Sequence, residues 1–451
     1  CSVTTAKGEM WKLGQLHPGD KVHFRLLDLD QAKEIREAEE ANLRHEYQEV
    51  VLPEQKDLDY HYAILAEETA AGTKIVARLD GEDNILVEYG EMELDIAIRF
   101  RVHVLMQELK KKDLPVIDLT PGIRSLQIHF DIKKISLKEM LAAVLETNRT
   151  LPELSDVTVP SRIIWLPLSW DDPQTQLAAK RYQQTVRPNA PWCPSNPEFI
   201  RRINGLDSIE DVKKIVFDAD YLVLGLGDVY LGAPVAPPVD PRHRMVTTKY
   251  NPARPWTPEN AVGIGGAYLC VYGMEGPGGY QFVGRTIQMW NPLKETEYFK
   301  HGKPWLLDFF DQIRFYPVSA EEILKDREDF LRGRFKIKIE ETSFNLGKYE
   351  QFLKEHEDTI RAFKDHQEAS FEAERKMWKE KGLDEFDSET QDAPAIVEET
   401  VPDGCEAART NIPGSVWKVL VEDGQKVREG DTLVILESMK MEFPVTAEYS
   451  G

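Results

Sequence analysis

Ile412-Pro413-Gly414-Ser415-Val416-Trp417-Lys418-Val419-Leu420-Val421 begins a series of short apolar runs punctuated by glycine: Glu422-Asp423-Gly424, Lys426-Val427, Glu429-Gly430-Asp431 and Leu433-Val434-Ile435-Leu436 follow in order. The series ends in Glu437-Ser438-Met439-Lys440-Met441-Glu442. Apolar runs of this length with a turn at each glycine predict a small all-β unit made of hairpins. The spacing puts Lys440 between two methionines at the end of an apolar strand, on a tight hairpin tip. A lysine that carries a prosthetic group needs that setting, because a modifying ligase and later an active site must both reach its amine. The competing reading is an ordinary solvated turn lysine.

Working outward, Asp384 to Asp403 is acidic and polar, the composition of a flexible linker. Before it, Tyr349 to Lys381 predicts one long charged helix with sparse apolar residues (Phe352, Leu353, Ile360, Phe363, Phe371, Trp378), stopped by Gly382. Ser319-Ala320-Glu321-Glu322 has the form of a capping box, with Val318 and Ile323 as its staple, and predicts a helix start. Phe335, Ile337 and Ile339 alternate with lysines as a short strand. From about Tyr60 to Pro317, strand-like runs alternate with a few helices, an α+β pattern that is richer in strand. Ile75–Leu79 and Asn84–Tyr89 flank Gly81-Glu82-Asp83 as a hairpin, Ile96 to Lys112 has helical spacing, and residues 221–290 predict a mostly β half with many turns. Asp28 to Leu52 suits an exposed helix, and residues 1–27 predict strand, turn and strand around Pro18-Gly19-Asp20.

A chain of 451 residues allows about three domains. Its 78 acidic residues outweigh 56 basic ones, for a formal charge of −22. That field repels phosphate backbones and anionic lipid, so nucleic acid and membrane surfaces are excluded as first expectations. With no apolar run of membrane-spanning length and no signal-peptide order in Cys1 to Trp11, the expectation is a soluble cytoplasmic protein. Four cysteines, at positions 1, 193, 270 and 405, are far apart and predict reduced thiols rather than a metal site or disulfides.

Residues 412–442 resemble the biotinyl carrier domain, whose signature is Glu-Ala/Ser-Met-Lys-Met preceded by Pro-Gly, Gly and Gly-Asp at this spacing. Lipoyl carriers have Asp-Lys-Ala at the same turn, so the methionines select biotin. The resemblance implies covalent biotin on Lys440, Met439 and Met441 flanking it, and a biotin protein ligase as partner. The carrier fold is a pair of similar half-motifs, so residues 404–451 are expected to be a truncated carrier. Gly276-Pro277-Gly278-Gly279-Tyr280-Gln281-Phe282-Val283-Gly284-Arg285-Thr286, with Gly263-Ile264-Gly265-Gly266 before it, resembles the domain named after allophanate hydrolase subunit 1. Pro121–Leu126, Pro241-Arg242-His243-Arg244 and Leu306–Pro317 extend that likeness. Trp11 to Asp20 resembles the closing strands of the subunit 2 companion. This order is that of the urea carboxylase family, and Gly225-Leu226-Gly227-Asp228-Val229-Tyr230-Leu231-Gly232 favours the urea enzyme among its relatives.

The fold class implied is α+β and multidomain: a β-rich cyclophilin-like carboxyltransferase domain, a helical connector and an all-β hammerhead carrier. The expected boundaries are 1–27 for the end of the subunit 2-like domain, 28–56 for a helical connector, 57–318 for the carboxyltransferase domain, 319–403 for a helical connector with linker, and 404–451 for the carrier. The function implied is transfer of a carboxyl group from carboxybiotin to urea, giving allophanate. ATP and Mg would be used by a biotin carboxylase domain absent from this chain, with allophanate hydrolase in the same polypeptide or complex. A different small amide as acceptor, or a non-catalytic regulatory module, are the alternatives.

Urea is neutral and planar, and wants a carboxylate facing its N–H groups and a donor facing its oxygen. Asp228, after the apolar run Tyr221–Leu224, is the candidate carboxylate, although a turn aspartate bonding its own backbone is a common alternative. Gln281, Arg285, His243 and Lys249 are candidates for the carbonyl or the ureido oxygen. Gly278 and Gly279 are expected to allow close approach to biotin or substrate, which a tight turn explains nearly as well. His103 and His129 read as core-lining. Gly225-x-Gly227 opens like a dinucleotide fingerprint, but Tyr230 occupies the third glycine position.

Overall fold

The computed structural model describes residues 4–47, 60–70, 72–227, 232–384, 408, 415–438, 441–447 and 449–451. They belong to two compact units, Cys1–Phe386 and Asp387–Gly451.

At the start of the first unit, Lys7–Glu9 is a 3-10 turn, followed by helices α1 (Met10–Leu13) and α2 (Leu29–Leu43). Asp28 caps α2 by accepting from the Gln31 N–H while the Gln31 side chain accepts from the Asp28 N–H. Neither strand expected around the Pro18-Gly19-Asp20 turn forms among the described residues: Met10–Leu13 is helical, residues 20–28 carry no regular structure, and Phe24 is 78% exposed, whereas the turn itself is present, with the Asp20 N–H donating to the His17 carbonyl at 3.1 Å. Alternation is only half of a strand. The other half is a hydrogen-bonded neighbour, and no described strand pairs with Val22–Arg25.

Five strands, β1 (Ile64–Ala70), β2 (Thr73–Leu79), β3 (Asn84–Tyr89), β4 (Val116–Pro121) and β5 (Ser125–Phe130), pair antiparallel in the order β1-β2-β3-β5-β4. Strands β3 and β5 alternate half-buried and buried along their length, so Ile85, Val87, Leu126, Ile128 and Phe130 share one face. Helices α3 (Ile96–Lys110) and α4 (Leu137–Arg149) cover that face with Val102, Leu105, Leu109, Met140 and Val144. The expected hairpin and the helix expected from Ile96 are present. Lys7 and Arg36 pair with Asp83 and Glu82 at the β2–β3 turn, tying the first residues to this sheet.

The second sheet is organised around β6 (Thr158–Trp170), which is thirteen residues long. After it come α5 (Pro173–Thr185), α6 (Asn196–Ile203), α7 (Ile209–Asp218), β7 (Tyr221–Leu222), β8 (Gly225–Leu226) and β9 (Pro234–Val235). The run continues through β10 (Arg254–Thr257), β11 (Ala261–Gly265), β12 (Tyr268–Val271), β13 (Gly276–Gly278), β14 (Gln281–Arg285) and β15 (Gln312–Val318). Then follow α8 (Ala320–Leu331), β16 (Lys338–Asn345), α9 (Leu346–Glu355) and α10 (Glu357–Glu380). The sheet order is β12-β11-β14-β6-β15-β7, with β16 also on β6. Strand β15 runs parallel along Ile163–Ser169, while the opposite edge of β6 takes β16 along Thr158–Trp165 and β14 at Ser169 and Trp170. Ile164, Leu166, Leu168, Val262, Val283, Ile313 and Phe315 make its core. The α+β, β-rich reading of this region holds.

The helix expected to run unbroken from Tyr349 to Lys381 is interrupted at His356, whose φ of −112° is not helical. Its last turn ends as expected at Gly382, with φ +62°. The Ser319–Glu322 capping box is present. The short strand lies a few residues later than its alternation suggested, at Lys338–Asn345, and it joins the central sheet.

In the second unit, β17 (Ser415–Val419), β18 (Thr432–Ser438) and β19 (Met441–Thr446) form an antiparallel sheet in that order. Among the described residues no helix is long and apolar enough to cross a membrane.

Leu166 is fully buried at the centre of β6. Leu166→Ala is expected to cost about 2–5 kcal/mol of stability, read as a lowered urea midpoint with an unchanged slope.

Candidate functional site

The glycines of β11 have a steric purpose that can be read from the structure. A Cβ added at Gly265 would lie 2.4 Å from Cδ1 and Cε1 of Tyr280, and one at Gly263 would lie 3.0 Å from the Tyr280 Cβ. The Tyr280 ring therefore rests on bare backbone, where any side chain would displace it. Gly278 is equally confined, by Thr257 Oγ1 and the Tyr272 ring. These glycines make room for protein side chains: Tyr280 at Gly265, and Thr257 and Tyr272 at Gly278.

The residues around Tyr280 hold it from several sides. Its N–H donates to the Tyr272 hydroxyl at 3.1 Å, and its carbonyl accepts from Arg254 Nη1 at 2.7 Å. Arg254 is fully buried between the rings of Phe282 and Tyr250, with its guanidinium 3.8 and 4.1 Å from their centroids. The Tyr250 N–H donates to the Gly279 carbonyl at 2.7 Å. Lys249 is exposed, and its ammonium stands 5.3 Å from the Tyr280 ring centroid. It has no ion-pair partner among the described residues, so a positive charge sits on an aromatic face beside the Gly278-Gly279 backbone. Burial pushes the Tyr280 phenol up to about 12, so it is a hydrogen-bonding group, not a base.

Gln281 is fully buried: its Nε2 donates to the Thr248 carbonyl at 2.9 Å, while its Oε1 and the Thr248 hydroxyl have no hydrogen-bond partner among the described residues. An acceptor and a hydroxyl left open side by side suit a ligand that offers N–H groups. Lys249, Gly278, Gly279 and Gln281 are thus brought together. Arg285 lies at the far end of β14, where its Nε donates to the Glu259 carbonyl at 2.9 Å. Burial, and then Arg327 nearby, lower its pKa. Its contacts fix the turn at Glu259 and Asn260. His243 ends a 3-10 turn, Pro241–His243, that packs on α7 and α10.

Asp228 belongs to the connection between β8 and β9, and it lies outside the described residues, as do Met439 and Lys440. The strands flanking each are described. Gly225 pairs with Val235 and the Gly227 N–H donates to the Ala233 carbonyl at 2.8 Å, forming a hairpin base. Ser438 pairs with Met441, so Met439-Lys440 is the whole connection between β18 and β19.

Sequence reasoning missed Tyr280, Arg254 and Thr248. Tyr280 carried a signal in its place after Gly278-Gly279. Nothing in Arg254-Pro255 marks an arginine that will be buried between two rings. Of the two histidines read as core-lining, His103 is buried, whereas His129 is half-buried and bonds Asp83 at 2.9 Å.

Residues 75–299 match the family described as carboxyltransferase domain, subdomain C and D, and residues 400–451 match the family described as biotin-requiring enzyme. One chain thus carries a carboxyltransferase-domain match and a biotin-family match. Over all of its length it is 36% identical to the urea amidolyase of Lachancea kluyveri and 35% identical to that of Saccharomyces cerevisiae. It covers 25% of each, so it spans about a quarter of the length of these curated relatives. The crystal structure of the Kluyveromyces lactis urea carboxylase superposes with a TM-score of 0.78 at 36% identity, over 99% of this chain and 39% of that one.

Two predictions follow from this geometry. Gly265→Ala is expected to unseat Tyr280 and lower activity at least tenfold (about 1.4 kcal/mol) with little loss of helix signal in circular dichroism; unchanged kinetics would show that the ring position is immaterial. His103 has its pKa lowered by burial to about 4 from 6.5. The folded chain therefore binds fewer protons than the unfolded one between those values, and stability falls as pH drops through 6.5. The loss between about pH 8 and about pH 5 is expected to be about 2 kcal/mol, measured by urea unfolding and reduced in His103→Phe.

Proposed function

We propose that this chain is the carboxyltransferase and carrier portion of a biotin-dependent urea carboxylase, transferring a carboxyl group to urea to give allophanate. The observation that carries the reading is the presence, on one chain, of a carboxyltransferase region and a biotin-family hairpin whose entire connection is Met439-Lys440. A two-residue connection between paired strands suits an attachment point. A regulatory module of the same fold would have no use for that hairpin.

Lys440 would hold biotin, with Met439 and Met441 as its neighbours. When bound, the group supplies an activated carboxyl on a ureido nitrogen. Carrying the cofactor on the same chain as the acceptor site keeps its effective concentration high. On the acceptor side, the urea nitrogen gains a carbon–nitrogen bond and gives up one proton, which would balance the carbon–nitrogen bond lost from the ureido nitrogen of the bound group and the proton that nitrogen takes up. Asp228 orients the urea N–H groups and accepts that proton, while Lys249 and Gln281 bind carbonyl or ureido groups at the Gly278-Gly279 turn. Arg285, whose contacts hold the Glu259 turn, acts through the backbone, and His243 is the more distant candidate. The biotin ligase, a biotin carboxylase domain using ATP and Mg, and an allophanate hydrolase are the partners this reading requires. Cytoplasmic placement fits the unpaired Cys193 and Cys270.

Lys440→Arg is expected to abolish the mass increment of biotin in protein made alongside a competent ligase. In the complete protein, labelled bicarbonate offered with urea, acetamide, guanidine or 5-oxoproline is expected to appear in product with urea. Asp228→Asn should reduce that transfer by about 10²-fold or more and leave biotin carboxylation intact. Equal labelling of another acceptor would replace urea, and unchanged transfer would remove Asp228 from the site.

A further inference from the structure

The loop that carries Lys249 is held by buried side chains that each take one of its carbonyls. Gln281 Nε2 donates to Thr248, and the Tyr182 hydroxyl donates to the Pro252 carbonyl at 2.9 Å. Between these two, Arg187 Nη1 donates to the Asn251 carbonyl at 2.8 Å. Its other terminal nitrogen, Nη2, donates at 2.7 Å to the carbonyl of Leu383, at the far end of α10. Arg187 is fully buried, and its guanidinium stands 5.2 Å from the centroid of the Trp192 ring. One rigid, planar fork therefore spans two carbonyls that belong to distant pieces of chain, and fixes them relative to each other.

The far end of this bridge is built to stay in place. The Gly382 N–H donates to the Lys379 carbonyl at 3.2 Å and the Leu383 N–H to the Trp378 carbonyl at 2.8 Å, which closes α10 in a Schellman motif around the left-handed glycine. Leu383 then packs against the buried cluster of Tyr182, Trp192, Phe199, Tyr250 and Trp378. One turn back, Glu374 accepts from both Arg202, at 2.8 Å, and the Trp378 indole, at 3.0 Å. At the near end, Tyr250 follows Lys249 directly, and its N–H is the group that donates to the Gly279 carbonyl. A Cβ added at Gly279 would lie 3.3 Å from the Lys249 Cβ, so the lysine stem lies over that turn. Leu383, Arg187, Asn251, Tyr250 and Gly279 thus form an unbroken path from the end of α10 to the Gly278-Gly279 turn.

We infer that Arg187 is a positioning residue for the acceptor site: it holds the Lys249 loop by tying Asn251 to the end of α10, so the seating of that helix end is felt at Lys249. The inference rests on the carboxyltransferase reading, which gives Lys249 its part in binding, and adds to it a support remote from the site. A buried donor that loses its acceptor costs more than the bond contributed, so a guanidinium released by Leu383 turns to other acceptors and lets go of Asn251 as well. Helix α10 is also the element from which the chain continues, in sequence, to the biotin-family hairpin.

Gly382→Ala is the informative substitution. Nothing lies within 4 Å of the position its Cβ would take, so it meets no clash, but alanine resists a φ of +62° and loosens the turn that presents Leu383. Wild type, Gly382→Ala, Arg187→Met and the double variant are compared as the complete protein with labelled bicarbonate and urea, and as the purified full chain by residue-resolved amide hydrogen exchange. Each single substitution is expected to raise the KM for urea at least threefold with a smaller change in kcat. Each is also expected to speed exchange at the Tyr250 amide at least fivefold, while the amides of β3 keep their protection. The double variant is expected to be no worse than Arg187→Met, because both changes break one bridge. Should Arg187→Met fail to fold, Arg187→Lys, whose single ammonium cannot span both carbonyls, takes its place in the comparison. Unchanged KM and Tyr250 exchange in Gly382→Ala overturn the inference, as do effects that add in the double variant. Failure of the urea reading looks different: wild type gives no urea-dependent product, while exchange at Tyr250 still decides for or against the bridge.

Discussion

The first unit depends on one long strand having partners along both edges. Of the thirteen residues of β6, Ile163–Ser169 pair with β15 on one edge, while Thr158–Trp165 pair with β16 and Ser169 and Trp170 with β14 on the other. An unpaired buried backbone group is expensive, so the strand can pass through the core only because each edge is occupied. That requirement draws together pieces of chain from before, within and after the glycine-rich region. It places β14, which carries Gln281, against the same strand that receives β16 from the far side of α8. The aromatic and cationic cluster around Tyr280 is then an outgrowth of sheet pairing, not a separately stabilised loop.

Within that cluster the design is one of restraint on a single ring. Arg254 pins the carbonyl of Tyr280, Tyr272 takes its N–H, and bare backbone lies beneath the ring. Lys249 is left as an exposed charge above it in a protein of net charge −22. A cation with no ion-pair partner among the described residues, in a negative field, is conspicuous to an approaching anion.

Much of this was legible because local rules and tertiary structure agree. Ser319-Ala320-Glu321-Glu322 and Ser136 with Glu139 cap their helices as their spacing says. The alternation of Asn84–Tyr89 and Ser125–Phe130 becomes one buried face, and Gly382 ends its helix in a left-handed conformation. Reading failed where the deciding partner is distant in sequence. Val22–Arg25 alternates like a strand and has no ladder to join. The interruption at His356 has no proline or glycine to announce it; it allows Tyr349 and Leu346 to pack near Phe344 while Trp378 stacks on Phe199. Arg187 and Arg254 were invisible for the same reason, since arginine in a sequence suggests surface, and only assembled aromatic faces make burial tolerable. The attachment lysine was legible from its flanking residues, whereas the acceptor pocket was legible only as a set of glycines whose purpose the sequence could not tell apart.

The bare backbone under Tyr280 also constrains how such a chain can change over time. Any single-base change in a glycine codon that replaces the glycine with another amino acid brings in a residue with a Cβ, so position 265 has no tolerated neighbour one step away. The ring it supports is freer, because phenylalanine or tryptophan presents a flat face to the same floor. Drift at this site should therefore accumulate in the aromatic, and almost never in the strand on which it lies.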